Sequence, residues 1–234
     1  MTPPSTPPVT DKTNATATLA ARLSALAYHN EEIIRAEMPS IGANSDDVHF
    51  LYGANIFGFI VKFPEFAFIV FRGSQTLGDW INNFDIRVIR TFCGHIHYGF
   101  AKSLDSIPRD SIEKIIATFK KPSKLYITGH SRGGALAFLT GAILIKSGYR
   151  PTAIYTFGAP KFGLASFRDW WKVNGSDVQT FCFTNKDDPV PHLPPGPEDI
   201  PHVAKLLLKI IVYVPRYAIR LMLRNLKNIS NKIR

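Results

Sequence analysis

A serine between glycines, at the junction of a strand-like run and a helix-like run, is the feature that most constrains how this chain folds. Residues 125–128 are β-branched and aromatic apart from one leucine, residues 129–133 read Gly-His-Ser-Arg-Gly, and residues 134–146 are rich in Ala and Leu. The flanking glycines fit a turn so tight that a side chain there would collide with neighbouring backbone. The turn exposes Ser131 above a helix N-terminus, whose free N–H groups favour negative charge. The pattern predicts a nucleophile elbow.

Composition favours one globular domain with a full hydrophobic core, since 45% of the 234 residues are hydrophobic and 20% are charged. No run of about 18 uncharged apolar residues exists, so we expect no transmembrane helix. Residues 1–15 form a Pro/Thr-rich tail, which we expect to be disordered. This tail has neither a basic nor an apolar leader segment, which favours a cytoplasmic or peripheral-membrane location. The sequence offers no metal-ligand pattern, and we expect no metal and no organic cofactor.

The order of apolar runs predicts an α/β fold. A helix is expected from 16 to 38, and three short runs separated by turn residues predict an antiparallel meander over 48–71. Strands and helices then alternate over 124–184, which predicts a parallel sheet with crossover helices. We therefore expect a mainly parallel central sheet with antiparallel N-terminal strands and flanking helices, in a domain spanning 16–203. In such sheets the active residues lie at the carboxyl ends of the strands.

Catalysis by Ser131 requires a histidine to take its proton and a carboxylate to orient that histidine. Both residue types follow the strand that ends near residue 184, in a stretch containing Asp187, Asp188, His192 and His202. The order of nucleophile, acid and histidine along the chain is the one found in α/β-hydrolases.

Five sequence blocks resemble the class 3 lipases, the fungal-type family of the α/β-hydrolase superfamily. They read Phe-Arg-Gly-Ser from 71 with Asp79-Trp80, His-Tyr-Gly-Phe from 97, Gly-His-Ser-Arg-Gly-Gly from 129, Tyr-Thr-Phe-Gly-Ala-Pro from 155, and Asp-Pro-Val-Pro-His-Leu-Pro-Pro from 188. The resemblance covers about residues 19–203. It implies an α/β-hydrolase fold and a serine hydrolase that acts on lipid esters, such as a triacylglycerol lipase.

The resemblance also implies which residues form the catalytic set. Ser131 matches the family nucleophile, and Asp188 matches the acid, whereas Asp187 would face the other way if the strand period persisted. His202 matches the histidine that follows the acid. His192 is the rival, although comparison with the family places it in a structural loop.

Two further roles follow from the same resemblance. Ser74 and Arg132 match the residues whose backbone N–H groups form the oxyanion hole, and His130 orients the turn. Residues 75–83 match the position of the family's lid, an amphipathic flap that could close over Ser131. The alternative is a fixed loop in which Trp80 belongs to the core.

The C-terminal segment 204–234 is basic and amphipathic. Eight of the 28 basic residues follow Asp199 and no acidic residue does, which leaves the preceding chain nearly neutral. Such a segment can lie in a membrane interface with its cations on anionic headgroups. The alternative is a packed terminal helix with a solvated charged face. The segment lacks the interleaved aromatic residues of a single-strand binder, so we expect no nucleic-acid partner, and no obligate protein partner is evident.

The expected function is hydrolysis of lipid esters, and peripheral membrane contact is expected through 204–234. Within the same fold, a phospholipase A1 and a short-chain or aromatic esterase remain open. An alternative from another class is a non-catalytic, membrane-peripheral lipid-binding protein.

Overall fold

The structure, a computed structural model, describes residues 11–54, 56–75, 85, 87–106, 109–118, 124–186, 188 and 190–194. Within these residues the strands are β1 (Val48–Gly53), β2 (Ile56–Lys62), β3 (Phe66–Phe71), β4 (Val88–Thr91), β5 (Gly94–His97), β6 (Lys124–His130), β7 (Ala153–Phe157) and β8 (Gln179–Phe183). Six of them form one sheet in the order β1-β2-β3-β6-β7-β8, and β4 pairs with β5 alone. β1, β2 and β3 are antiparallel, whereas β3, β6, β7 and β8 are parallel. The predicted fold class is confirmed.

The helices within the described residues are α1 (Asp11–Leu26), α2 (Glu31–Glu37), α3 (Tyr98–Asp105), α4 (Arg109–Thr118), α5 (Arg132–Lys146) and α6 (Ala165–Asn174). The single helix expected over 16–38 is wrong, because the chain breaks between α1 and α2. Asn30 caps α2 by accepting the backbone N–H of Ile33 at 2.9 Å, and this cap starts a new helix. The first turn of α1 also lies inside segment 1–15, for which we expected no regular structure.

Strand β3 shows why the central strands are apolar without interruption. Ala67, Ile69 and Phe71 belong to the core cluster that α3, α4, α5 and α6 share, while Phe68 and Val70 belong to the cluster beneath α1 and α2. Because successive side chains point to opposite faces, a strand covered by helices on both sides must be apolar at every position.

Among the helices of the described residues, none has both the length and the apolar character that a membrane span needs.

Helix α1 is fixed to β6 by a buried polar contact. Ser24 Oγ and Thr128 Oγ1 lie 2.9 Å apart, and both side chains are buried. This hydrogen bond satisfies two hydroxyls inside an apolar layer, where an unpaired hydroxyl would be destabilising. It fixes the position of α1 along β6 only three residues before Ser131.

Several predictions fall on residues that the structure does not describe. These are the lid over 75–83, of which only Gln75 is described, the tail residues 1–10, the proposed base His202 and the basic segment 204–234.

Candidate active site

Ser131 occupies a strained corner between β6 and α5. It has φ 53° and ψ −126°, and it is the one non-glycine residue with positive φ in the described part of the chain. A non-glycine residue held in such a backbone conformation costs on the order of 1–3 kcal/mol of folding free energy. Two hydrogen bonds hold the corner: the Ser131 N–H donates to the Phe157 carbonyl at 2.8 Å, and the Gly134 N–H donates to the Ser131 carbonyl at 2.9 Å. The sharp turn predicted from the sequence is therefore present.

The glycines around Ser131 are required by close backbone approaches. A Cβ on Gly129 would collide with the backbone carbonyl of Gly133 and lie 2.8 Å from the Gly134 nitrogen. A Cβ on Gly133 would collide with the carbonyl oxygen of Phe71, at the end of β3. Neither neighbour is a flexible side chain, so only glycine fits at 129 and 133 without displacing backbone. The role predicted for these two glycines is confirmed.

The loop after β3 lies directly beside the serine. A Cβ on Gly73 would be 2.6 Å from the His130 carbonyl oxygen and 3.2 Å from the Ser131 Cβ. Ser74 is the next residue of this loop. Arg132 begins α5, and the first N–H groups of a helix have no partner within the helix. The loop that carries Ser74 and the first residue of α5 thus both lie beside Ser131.

The side chain of Arg132 is held away from solvent on α3. Its Nη2 donates to Ser103 Oγ at 2.6 Å, and burial lowers the pKa of the guanidinium. This contact joins the first residue of α5 to α3.

Asp188 lies at the same edge of the sheet as Ser131. Its Oδ1 accepts the Val190 N–H at 2.9 Å, which fixes the carboxylate within its own turn. Its Oδ2 is 2.5 Å from the position that a Cβ on Gly158 would take, and Gly158 has φ 58°, a conformation that favours glycine. Gly158 follows Phe157, whose carbonyl binds the Ser131 N–H. The carboxylate and the serine thus both lie at the carboxyl end of β7.

The structure brings four of the five predicted site residues to one edge of the sheet: Ser131, Asp188, Ser74 and Arg132. His202 lies outside the described residues, as does Asp187. The rival histidine, His192, ends a short 3-10 turn spanning Val190–His192 and is partly exposed.

Sequence reasoning missed Tyr28. Its hydroxyl lies 2.8 Å from His130 Nδ1, beside the nucleophile, although 102 residues separate the two positions in the chain. No local pattern marks Tyr28, because the contact depends on how α1 packs against β6.

Comparison with known proteins agrees with this geometry. The family described as "Lipase (class 3)" matches residues 68–197. A "Secreted mono- and diacylglycerol lipase 1" from Fusarium solani is 34% identical over 130 residues, which cover 53% of this chain and 38% of that protein. A "Lipase" from Rhizomucor miehei is 30% identical over 138 residues, which cover 55% of this chain and 38% of that protein. The match therefore spans less than half the length of these curated relatives.

A solved structure supports the fold. The triacylglyceride lipase of Rhizomucor miehei superposes with a TM-score of 0.67 at 24% identity, over 80% of this chain and 76% of that one.

The expected cytoplasmic or peripheral-membrane location is wrong by this comparison, because the relatives from Fusarium solani and Penicillium cyclopium are described as secreted lipases. The expectation depended only on the residues at the start of the sequence, and those residues do not decide the compartment.

Proposed function

Because the chain belongs to the class 3 lipase family, we propose that it hydrolyses carboxylic esters of lipids through an acyl-enzyme on Ser131. The observation that carries this proposal is the strained corner at Ser131, with the Gly73 loop and the N-terminus of α5 beside it and the Asp188 carboxylate at the same sheet edge. Strain of this kind persists only where surrounding structure enforces it, and it is concentrated at functional sites.

In the proposed first step, Ser131 Oγ attacks the ester carbonyl carbon while His202 takes the hydroxyl proton. The backbone N–H groups of Ser74 and Arg132 stabilise the oxyanion, and removal of one such donor typically costs about 10²–10³ in kcat. The bond to the alcohol then breaks, and His202 returns the proton to the departing alkoxide. Asp188 stabilises the positive imidazolium throughout.

In the second step, water attacks the acyl-serine. His202 takes a proton from that water and delivers it to Ser131 Oγ as the fatty acid leaves. The two steps together consume one ester and one water and regenerate the serine hydroxyl, so the reaction as written requires no metal or organic cofactor.

The substrates that we propose are acylglycerols. The relatives described as lipases and as a mono- and diacylglycerol lipase support this class. Phospholipids and short or aromatic esters are the alternatives within the same chemistry, and a comparison of chain lengths and headgroups separates them.

We further propose that segment 204–234 contacts an anionic lipid surface. The support is its composition, which includes eight basic and no acidic residues. Each basic residue near such a surface contributes roughly 1 kcal/mol of attraction.

The test is hydrolysis of p-nitrophenyl esters of increasing acyl length, with and without lipid vesicles, by the intact chain and by Ser131→Ala. Ser147→Ala is the matched control, since it removes the same hydroxyl from an exposed position after the other end of α5. We expect loss of activity only in Ser131→Ala and a preference for long chains that rises with vesicles. Vesicle binding without hydrolysis in any variant would instead favour the non-catalytic lipid-binding alternative.

A further inference from the structure

Tyr28 and His130 are joined by a hydrogen bond that continues the attachment of α1 to β6. Ser24 contacts Thr128 at 2.9 Å, and four residues later Tyr28 Oη contacts His130 Nδ1 at 2.8 Å. Tyr28 lies in the turn that follows α1, and its partner His130 lies two residues beyond Thr128 on β6. Because alternate residues of a strand share a face, both strand residues lie on the face of β6 that α1 covers. The tyrosine and imidazole rings also meet edge to face, with centroids 5.8 Å apart.

The same tyrosine contacts the loop that carries the proposed oxyanion donor. The phenol oxygen of Tyr28 packs closely against Gly73, because a Cβ on Gly73 would collide with that oxygen. In the arrangement proposed below, the Tyr28 hydroxyl donates its proton to Nδ1 of a neutral His130 ring. Burial raises the pKa of Tyr28, which keeps this proton in place at neutral pH.

The other nitrogen of His130 lies near Gly158, the same glycine that the Asp188 carboxylate approaches. His130 Nε2 and Asp188 Oδ2 both lie within 4 Å of the point where a Cβ on Gly158 would be. Burial lowers the pKa of His130, and the charge of Asp188 opposes this effect. A neutral imidazole that accepts at Nδ1 carries its proton on Nε2, the atom on the side of Asp188.

We propose that Tyr28 and His130 form a positioning pair that holds the oxyanion loop at Gly73 and the carboxylate of Asp188 in register with Ser131. The proposal rests on the proposed function of Ser131 and Asp188. Neither member of the pair touches the reacting atoms. Tyr28 packs against Gly73 and bonds the ring of His130, and His130 places its Nε2 on the side of the carboxylate. If the pair only attached α1 to the sheet, any other contact of the same strength could replace it without changing the active site.

The kinetic test is Tyr28→Phe, which removes one oxygen and keeps the ring. Misplacement of catalytic groups by up to 1 Å lowers the rate by as much as about 10²-fold, so we expect kcat to fall roughly tenfold with KM unchanged. Tyr126→Phe is the matched control, because Tyr126 lies on the same strand among aromatic rings and its loss of a hydroxyl should leave kcat unchanged. An unchanged kcat in Tyr28→Phe would overturn the proposal.

The spectroscopic test does not depend on activity. In the chain labelled with ¹⁵N at histidine, the His130 signals, assigned by their loss in His130→Asn, should report a neutral ring with the proton on Nε2. Tyr28→Phe should convert this into a mixture of tautomers. An unchanged tautomer together with lower thermal stability would overturn the proposal, since it would show that the pair only supports the fold.

A mutant cycle separates this proposal from the proposed function. If Tyr28 acts through His130, Tyr28→Phe should lower kcat less in the His130→Asn background than in the wild type, and equal losses in both would contradict the pairing. If the chain hydrolyses no ester, the proposed function fails, while the tautomer of His130 still tests whether the pair is formed.

Discussion

Gly133→Ala should lower activity far more than its small size suggests. The added Cβ would collide with the Phe71 carbonyl oxygen and lie 2.9 Å from the Phe71 carbonyl carbon and 3.1 Å from that of Arg72. Carbon atoms in contact prefer about 3.5–4.0 Å, so β3 and α5 must separate by on the order of 1 Å. Because these residues lead directly into Gly73 and Ser74, the displacement moves the proposed oxyanion donor away from Ser131.

The expected cost is about 1–3 kcal/mol of stability from overpacking and about 10²-fold in kcat/KM from misplacement. The assay pairs ester hydrolysis with chemical denaturation. Gly141→Ala is the control, because it makes the same substitution in the same helix but faces the tips of the Ile154 and Trp171 side chains at 2.7 and 3.2 Å, which can move. Wild-type kcat/KM in Gly133→Ala, or an equal loss in Gly141→Ala, would refute the reasoning.

Three further predictions concern the base, the aromatic core and the basic segment. His202→Ala should lower kcat by about 10⁴-fold, whereas the kcat of His192→Ala should stay within tenfold of the wild-type value. Steady-state kinetics measure both, and the reverse result would make His192 the base. Burial raises the pKa of Tyr155 to about 12, so the folded chain keeps a proton that the unfolded chain loses above about pH 10. The free energy of unfolding should therefore fall as pH rises from about 10 to 12, and urea titrations of Tyr155→Phe should show a weaker decline. Deletion of 204–234 should reduce sedimentation with anionic vesicles but not with zwitterionic ones, and salt should weaken the binding of the full chain.

The sequence predicted what depends on short stretches of chain. The corner at Ser131 follows from glycines within two residues of it, and the meander from β1 to β3 follows from apolar runs separated by turn residues. Local sterics and strand pairing between neighbours decide these features, so they can be inferred without tertiary information.

The features that the sequence did not predict depend on long-range packing or on a single side chain. The apolar pattern continues from α1 into α2, but the chain turns after Leu26 and the Asn30 side chain accepts the Ile33 N–H, which starts α2 as a separate helix. The contact of Tyr28 with His130 requires α1 to lie on β6, which no short stretch encodes. The choice between His202 and His192 is likewise not local, because both follow Asp188 in a proline-rich stretch.

Covalent labelling tests the central claim most directly. The intact chain is treated with a long-chain alkyl phosphonate ester in the presence of lipid vesicles, and the modified residue is identified by peptide mass spectrometry. Phosphonates mimic the tetrahedral intermediate and react with a serine that is activated and faces an oxyanion hole. The account predicts one adduct, on Ser131, that is absent in Ser131→Ala and present in Ser147→Ala. An adduct on another residue, or no adduct at all, would contradict it.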